Sequence, residues 1–382
     1  MARAILEREL TGTQTGRTQF AVASRSDDAD IRRLLRENAM PGEISLSFER
    51  EPDYFADTGL PSESKQTIVA RLDGRLVCAG SCTIRRRFVN GTPRRVGYLG
   101  GLRLDTRHAG RFDILRRGYE FFHELQMDCP ADFYFTSIAA DNERARKFLE
   151  RGLPGMPRYE FCGEFVTLLL ATKNQPRPWR RHEMDGESVH GPGVGELISD
   201  LNDCNGHFQF SPCWSAEELS ALSQLGLTSK DFSFIRKNGQ IIASAALWDQ
   251  RSFKQTVIRG YSRRLTSVRP FLNAIHRVIS APRLPPVGAT VANSFVSHLA
   301  IAPENPESQI ALIAELRCMG AQRQVEFLTL GFAANDPRLA VMRNSFCCRE
   351  YYSRLYVVCW PGIGGAASEL DSRVLAPEVA LL

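Results

Sequence analysis

The sequence has little lysine and no long apolar run. Only six of its 48 basic residues are lysine, so arginine supplies most of the positive charge. The apolar stretch 165–171 covers seven residues and is interrupted only by Thr167, whereas a membrane-spanning helix needs about 20. The first ten residues contain two glutamates and no apolar stretch, unlike a secretory signal. These absences predict a protein that does not enter or cross a membrane.

The sequence also lacks a Cys-x-x-Cys pair. Ten cysteines without a secretory signal are typical of reduced thiols in the cytoplasm, which is the location we expect. Cys78 and Cys82 have no pair of histidines nearby in the sequence, and neighbours such as Cys347 and Cys348 point to opposite faces of a strand. We therefore predict no metal site. Ser-His-Asp order, HExxH and Walker patterns are absent as well.

The chain is long enough for two domains. It has 382 residues, of which 43% are hydrophobic and 24% charged, as in ordinary globular proteins. Residues 173–195 are rich in Pro, Arg, Gly and His and predict a linker. We expect four segments: a flexible arm at 1–19, a first domain at 20–172, the linker at 173–195 and a second domain at 196–382.

The first domain begins with a helix from Asp27 or Asp28 to about Met40 and then forms a meander of three antiparallel strands. Asp73-Gly74 and Asn90-Gly91 predict tight hairpin turns between apolar, alternating runs. A helix starts near Phe112, because Leu115, Tyr119, Phe122 and Leu125 form one apolar stripe. The predicted strands are 66–72, 76–84, 95–104, 133–138 and 159–170, and another helix covers 142–151.

The second domain repeats this order of elements. Its predicted strands are 232–236, 241–248, 256–260, 291–301, 326–332 and 351–360, and its helices are 268–279, 309–319 and 336–344. The order matches although the residues do not, which favours a duplication. Two unrelated α/β units remain the alternative.

The loop between the third strand of the meander and the following helix is the most informative segment. The first N–H groups of a helix have no intrahelical partner, and the helix dipole adds positive potential there, so this position suits an anion. Arg107 and Arg111 flank it, and Gly110 permits close approach of a ligand. Residues 85–117 contain ten arginines against two acidic residues. We predict a phosphate-binding loop.

This loop resembles the signature of the GNAT acetyltransferase superfamily, Arg/Gln-x-x-Gly-x-Gly/Ala between a strand and a helix. Arg107 and Gly110 match it, and Phe112 departs from the usual small residue. The helix that contains Asn142 and Ala145 is similar to the second family signature, Asn-x-x-Ala followed by Gly-Phe, with Leu153 in place of the Phe. The element order of residues 20–170 also fits this family.

The resemblance implies an α/β (α+β) fold of two tandem GNAT-like domains, each a central mixed, mostly antiparallel sheet flanked by helices. It implies transfer of an acetyl or other acyl group from acetyl-CoA, as co-substrate, to an amine of a small molecule or peptide. The cofactor-binding residues that it implies are Leu102, Arg103, Leu104, Arg107, His108, Ala109, Gly110, Arg111, Phe112 and Asn142.

The resemblance does not identify the catalytic residues. Where many family members have a tyrosine acid and a glutamate base, this sequence has Leu149 and Gly100. Tyr98, Tyr159 and Glu120 are the candidates to replace them, and solvent is another source of the base. The alternative function is therefore a catalytically silent acyl-CoA-binding sensor or scaffold.

The second domain is expected to bind no coenzyme. Its equivalent loop, 302–308, has no glycine and no arginine, and it contains two acids and two prolines. The resemblance therefore implies a degenerate second copy that walls the substrate cleft or forms an interface. Nucleic-acid binding through residues 85–117 is the third hypothesis, which the lack of interleaved aromatic residues disfavours. The sequence leaves open whether the chain forms a homo-oligomer.

Overall fold

A computed structural model describes residues 18–59, 62–172, 193–238, 240–275 and 284–382. In these residues the strands are β1 Thr18–Val22, β2 Ile44–Glu49, β3 Ser64–Leu72, β4 Arg75–Val89, β5 Thr92–Leu104, β6 Phe133–Ala139, β7 Arg158–Ala171, β8 Phe232–Lys237, β9 Gln240–Trp248, β10 Gln255–Tyr261, β11 Asn293–Ile301, β12 Phe327–Ala333 and β13 Cys348–Cys359. The helices are α1 Asp28–Glu37, α2 Phe112–Gln126, α3 Glu143–Leu149, α4 Val194–Asn205, α5 Ala216–Leu222, α6 Arg263–Ile275, α7 Pro306–Gln322 and α8 Pro337–Ser345.

The predicted meander is confirmed. β3, β4 and β5 pair antiparallel in sequence order. Asp73 and Gly74 have φ of 51° and 81°, and Asn90 and Gly91 have φ of 52° and 76°. Positive φ at both central residues gives the turn whose twist matches that of the strands. Asn, Asp and Gly tolerate this backbone, which is why these two dipeptides located the turns.

Eleven of the strands form one continuous sheet. Its order is β1-β3-β4-β5-β6-β13-β7-β12-β11-β9-β8, and β10 pairs with β2 in a separate two-stranded sheet. β13 lies between β6 and β7, and β7 lies between β13 and β12; all three contacts are antiparallel. The last strand of each half is thus inserted into the sheet of the other half. The expected fold class is confirmed, and the sequence did not reveal that the two sheets are joined.

Helices α2 and α7 pack against the same face of this sheet. Ile114 and Phe122 of α2 pack against it in the first half, and Leu312, Ile313 and Leu316 of α7 do so in the second. The opposite face is covered by α1, by α4 and α5, and by the segment from Ala366 to Leu382. None of the helices in the described ranges has the length and apolar character of a membrane span.

Two pairs of neighbouring strands run parallel and then diverge. β5 and β6 pair only at Val96–Phe133, Gly97–Tyr134 and Tyr98–Phe135. β11 and β12 likewise pair at three positions, which begin at Asn293–Phe327. Beyond these positions β5 and β11 each contain a β-bulge, with a positive φ at Gly101 (65°) and at His298 (53°). The bulge turns each strand away from its parallel neighbour.

Several predicted boundaries were wrong. Helix α7 begins at Pro306 rather than Gln309, because Asn305 caps it and proline is tolerated in the first turn. Helix α6 begins at Arg263, where Ser262 Oγ accepts the N–H of Leu265, so Pro270 lies in its interior and not in its first turn. Helices α4 and α5 were not predicted.

The expected arm and linker lie mostly outside the described residues. β1 begins at Thr18, so the last two residues of the expected arm belong to a strand. Helix α4 begins at Val194, so the last two residues of the expected linker are helical. The division into two domains and a linker stays a prediction.

Gly97 tests the packing where β5 and β6 separate. A Cβ atom there would lie 2.5 Å from Tyr134 Cδ1 and 3.2 Å from Cys82 Sγ. Because both neighbours are buried, we expect Gly97→Ala to lower the free energy of unfolding by about 1 to 3 kcal/mol, measured by urea denaturation. Gly195→Ala is the control, because nothing lies within 4 Å of that position in α4. Equal losses in both variants would contradict this packing.

Candidate functional site

The β5–α2 loop is shaped by a buried carboxylate. Asp105 is 2% exposed, and its Oδ1 accepts hydrogen bonds from both the backbone N–H and Nε of Arg107, each at 3.0 Å. Arg107 Nη2 donates to Oδ2 at 2.6 Å. These hydrogen bonds lower the pKa of Asp105 to about 2. The predicted phosphate-binding arginine is therefore folded back onto the start of its own loop.

Arg111 is held in a similar way. Its Nε and Nη2 each donate to the carboxylate of Asp113 at 2.8 Å, in the first turn of α2. The Arg107 and Arg111 side chains are 53% and 38% exposed. Within the described residues, Nη1 of neither arginine makes a hydrogen bond. Each guanidinium thus keeps one exposed donor group for an anion.

Most N–H groups of the loop are already used. The N–H groups of residues 107, 108, 109, 111 and 112 donate to acceptors inside the loop. That of Gly110 has no acceptor in the described part of the chain, and nothing lies within 4 Å of a Cβ atom built there. The space for a ligand is therefore centred on Gly110, and it uses fewer backbone donors than the sequence suggested.

Helix α3 lies beside this loop and adds an arginine that sequence reasoning missed. Arg144 Nη2 donates to the carbonyl oxygen of Ala109. The signal was its position in the first turn of a helix that follows β6, because parallel β5 and β6 end at the same edge of the sheet. Phe112 stacks on Phe148 of α3 with ring centroids 4.6 Å apart. Arg107, Arg111 and Arg144 thus lie around Ala109 and Gly110.

The other residues that we expected to bind the cofactor differ in burial and in their hydrogen-bond partners. Leu102 and Leu104 pack with Ile114 in the core beneath α2, and Arg103 donates to the carbonyl oxygen of Leu102 at 2.8 Å. The side chain of Asn142 accepts the N–H of Ala145 and caps α3. His108 donates its backbone N–H to the carbonyl oxygen of Asp105, and its side chain is half-buried.

The gap between β5 and β6 begins within the strands and runs along β5 towards this loop. Pairing ends at Tyr98 and Phe135, and at the start of the gap Thr136 Oγ1 donates to the carbonyl oxygen of Leu99 at 2.6 Å. Ser81 Oγ donates to the carbonyl oxygen of Gly100 at 3.1 Å. The gap therefore has one edge on β5, from Gly100 onwards, and the other on β6.

Two of the three candidate acid or base residues have structural roles. The hydroxyl groups of Tyr119 and Tyr159 hydrogen-bond each other, and Glu120 pairs with Arg116 at 2.8 Å on the surface of α2. Tyr98 instead lies on the face opposite α2 and packs on Phe135, with ring centroids 5.1 Å apart. Burial raises the pKa of Tyr98 to about 12, so its phenol is protonated at neutral pH.

Charged side chains gather on this opposite face, between the two halves. Lys65, Arg85, Arg87 and Tyr98 share one face of β3, β4 and β5, as their register shows. They belong to a set of enclosed ionisable residues that we term the interior charged cluster: Arg50, Asp57, Lys65, Arg85, Arg87, Glu218, Lys254 and Glu378. Sequence reasoning missed it, because its members come from distant segments.

Ion pairs organise one side of the cluster. Asp57 accepts hydrogen bonds from both Arg50 and Lys65. Burial alone would raise the pKa of Asp57, but these two cations outweigh it and lower the pKa to about 2. Arg85 Nη1 lies 4.0 Å from Glu218 Oε1 of α5. The Arg85–Glu218 pair joins the first half of the chain to the second.

Two members of the cluster titrate near neutral pH. Burial lowers the pKa of Lys254 to about 7, and Nζ donates to the carbonyl oxygen of Leu382 at 2.8 Å. Burial raises the pKa of Glu378 to about 7, although the N–H of His298 donates to its Oε2 at 3.1 Å. Trp214 stacks on His298 with ring centroids 3.9 Å apart. In the described ranges, no three His, Cys, Asp or Glu side chains are grouped to hold a metal ion.

Comparison with solved structures identifies the fold. A GCN5-related N-acetyltransferase from Sphaerobacter thermophilus is 14% identical, with 92% of this chain and 99% of that chain covered and a TM-score of 0.55. N-myristoyltransferase from Saccharomyces cerevisiae with bound myristoyl-CoA is 11% identical, with 97% and 87% covered and a TM-score of 0.60. The chain has the GNAT fold. No protein-family model and no curated protein sequence matches it.

The two parts of the site lie at different places on the sheet. The β5–α2 loop lies at the end of β5 where α2 begins, and Arg107 Nη2 there also lies 3.7 Å from Glu37 Oε2 of α1. The interior charged cluster lies on the face opposite α2. The gap between β5 and β6 lies between these two parts. The arrangement can therefore bring two molecules together from opposite faces.

Substitution of Asp105 tests whether its carboxylate stabilises the β5–α2 loop. Replacing it by Asn leaves a weaker acceptor for Arg107, so we expect Asp105→Asn to lower the free energy of unfolding at pH 7 by about 1 to 3 kcal/mol. Asp113→Asn is the control, because that carboxylate is 46% exposed and its pair with Arg111 is worth less than about 1 kcal/mol. The measurement is urea denaturation; a larger loss at Asp113 would contradict the role of Asp105.

The pH dependence of stability tests whether the carboxyl group of Glu378 is enclosed. Its folded pKa, about 7, is above the unfolded value of 4.5, so the folded state binds the extra proton between them. Stability should therefore fall as pH rises through this window. We expect the free energy of unfolding of the native chain to fall by about 1 to 3 kcal/mol more than that of Glu378→Gln between pH 4.5 and pH 7. Urea denaturation at the two pH values measures this difference.

The control for this pH effect is Glu369→Gln. Glu369 accepts the N–H of Ala366 at the surface of the same segment, so its replacement removes a carboxyl group without changing the interior. If Glu378→Gln and the native chain show parallel pH curves, the carboxyl group is not enclosed as described.

Proposed function

We propose that this chain is an N-acyltransferase that moves an acetyl group from acetyl-CoA to an amine. The observation that carries this proposal is the gap between β5 and β6, which opens beside an arginine-flanked helix N-terminus in a GNAT fold. The solved structures with this fold include enzymes that are named N-acetyltransferase and N-myristoyltransferase, the latter with bound myristoyl-CoA.

The loop suits the pyrophosphate of the coenzyme. Arg107 and Arg111 each offer Nη1, and Arg144 reaches the same loop from α3. Charge-assisted hydrogen bonds from arginine to phosphate are about twice as strong as neutral ones. The N–H of Gly110, which has no acceptor among the residues that the structure describes, and the open space over it complete this site.

The gap suits the extended arm of the coenzyme. Where β5 and β6 separate, their facing edges carry peptide N–H and C=O groups that no longer pair with each other. An extended ligand with amide groups can bind such edges in the way an added strand does. The arm would thereby bring the thioester to Tyr98 and Phe135, where the gap begins.

The acceptor would reach the thioester from the opposite face. Its ammonium group must lose a proton before it can attack, and a base whose pKa is near the working pH does this best. Glu378 and Lys254, with pKa values of about 7, are on this side. The phenol of Tyr98, which stays protonated, would donate a proton to the departing thiolate.

We propose further that the second half of the chain is a degenerate copy of the first half and binds no coenzyme of its own. We also propose that the protein is cytoplasmic. The equivalent divergent strands and the bulges at Gly101 and His298 favour a duplication. In the second half, however, Asn305 already caps α7 and Pro306 lacks an N–H donor. Glu304 and Glu307 would repel a phosphate.

A catalytically silent acyl-CoA-binding protein is the second candidate. Leu149 is 6% exposed and belongs to the core, and a Cβ atom at Gly100 would lie 2.7 Å from Tyr98 Cε1, so neither position can supply an acid or a base. Release of coenzyme thiol in the presence of a broad panel of amines separates the two functions. Tight binding of acetyl-CoA without any thiol release would favour the silent protein.

Charge reversal tests the coenzyme site. We expect Arg107→Glu combined with Arg111→Glu to raise the Kd for acetyl-CoA at least about 100-fold, because two charged contacts to phosphate are replaced by repulsion. Isothermal titration calorimetry with acetyl-CoA measures this change.

The matched control is Arg94→Glu combined with Lys237→Glu. Both residues are exposed; Arg94 lies near the start of β5, at the opposite end from the loop, and Lys237 ends β8. This pair alters the net charge by the same amount and should leave the Kd unchanged. An unchanged Kd in the loop variant would refute the proposed site.

A further inference from the structure

Arg87 is a buried cation without an anionic partner. It is 1% exposed, and Nη1 donates to the carbonyl oxygen of Phe210 at 3.0 Å. Among the described residues, no carboxylate forms an ion pair with Arg87, and Nε has no hydrogen-bond partner. Burial first, and then the charge of Arg85, lower the pKa of Arg87 to about 9. A buried charge of this kind is unfavourable unless an anion compensates it.

The unused edge of Arg87 has the geometry for a carboxylate. Nη1 is held by Phe210, and Nη2, like Nε, makes no hydrogen bond within the described ranges. Nε–H and one N–H of Nη2 lie side by side on the guanidinium plane, which is the fork that binds both oxygens of a carboxylate. Glu218 and Glu378 affect the pKa of Arg87 from beyond ion-pair distance.

Arg87 is close to the place where the thioester would lie. Its guanidinium carbon is 5.2 Å from the centroid of the Phe135 ring, and the Tyr98 ring is 5.1 Å from the same centroid. Tyr98 and Phe135 are the last paired residues before β5 and β6 separate. Arg87 and Tyr98 therefore pack on the same aromatic ring, so a small ligand can span the distance between them.

The surroundings favour an anion as well. The interior charged cluster contains five basic residues and three acidic ones. Tyr98, Lys65, Lys254 and Glu378 are half-buried, so accessible space borders this face of the sheet. An enclosed surface with excess positive charge concentrates anions.

We propose that the acceptor is a small amine that also carries a carboxylate, which binds to Nε and Nη2 of Arg87. This inference rests on the proposed N-acyltransferase function. The carboxylate is anchored at Arg87, and the amine of the same molecule extends past Phe135 to the thioester. The ammonium group first gives one proton to a base, and the neutral nitrogen then attacks the thioester carbonyl carbon. The carbon–sulfur bond breaks, the nitrogen loses its second proton, and that proton is taken up by the departing thiolate, which leaves as the free thiol.

Paired acceptors test the proposal on the native protein. Glycine, phenylalanine and glutamate are compared with their α-carboxamides, lysine with cadaverine, and phosphoethanolamine with ethanolamine, by thiol release from acetyl-CoA. We expect kcat/KM to be about 10- to 100-fold higher for the carboxylate-bearing member, as the loss of a charged hydrogen bond predicts. Equal or better transfer to the neutral or cationic amines overturns the proposal, and a preference confined to phosphoethanolamine overturns the carboxylate assignment.

A buried arginine elsewhere provides a matched control. In Arg87→Gln the preference for carboxylates should fall below about threefold, since the charged fork is lost. Arg317 is also buried, donates to the carbonyl oxygen of Ala171 at 2.9 Å and lies 5.2 Å from the Phe346 ring, but on the α7 side of the sheet. Arg317→Gln should keep the preference. A preference that survives in Arg87→Gln overturns the role of Arg87.

The same experiments separate this inference from the proposed function. If acetyl-CoA binds and amines without a carboxylate are acetylated well, the acceptor inference fails and the transferase survives. If no amine releases thiol, the transferase fails; the acceptor site is then tested by titrating N-acetylphenylalanine and its amide into the complex with coenzyme A. Equal affinity for the two overturns the carboxylate site. If Arg87→Gln does not fold, Arg87→Lys, which keeps the charge without the fork, replaces it.

Discussion

The exchange of β7 and β13 between the two halves is the constraint on which the rest of the structure depends. Each strand is long, and each completes a sheet that begins in the other half of the chain. The two halves therefore cannot separate without breaking the ladder of hydrogen bonds between β6, β13, β7 and β12. This fixed relation is what allows α5 and the segment near Glu378 to close over the first half.

Divergence of parallel strands gives this sheet an opening at a defined place. A bulge at Gly101 turns β5 away from β6, and positive φ there suits glycine. The loop that follows is held by Asp105, whose buried carboxylate organises both the backbone and the side chain of Arg107. Strand divergence and loop shape together align the arginine-flanked start of α2 with the gap.

The interior charged cluster has a different physical basis. Enclosed charges lower stability unless they are paired, and Asp57 with Arg50 and Lys65 shows such pairing. Arg87 has no such partner in the part of the chain that the structure describes, and burial displaces the pKa values of Glu378 and Lys254 toward neutrality. Enclosed charged groups make the free energy of folding less favourable than apolar residues do. Their concentration beside the gap is typical of a site where a bound ligand supplies the missing opposite charge.

The sequence by itself determined the hairpin turns, most strands and the loop before α2, because these depend on local backbone preferences and on alternation along one segment. Phe112 illustrates the limit: its bulk was visible, and its stacking on Phe148 was not. Likewise the pairing of Arg107 and Arg111 with neighbouring carboxylates could be read from the sequence, and the position of Arg144 after β6 placed it at the same edge, but its contact with Ala109 was visible only in the tertiary structure. Only the tertiary structure brought Arg87, Lys254 and Glu378 together, because contacts between residues hundreds of positions apart depend on strand order, which local sequence does not encode.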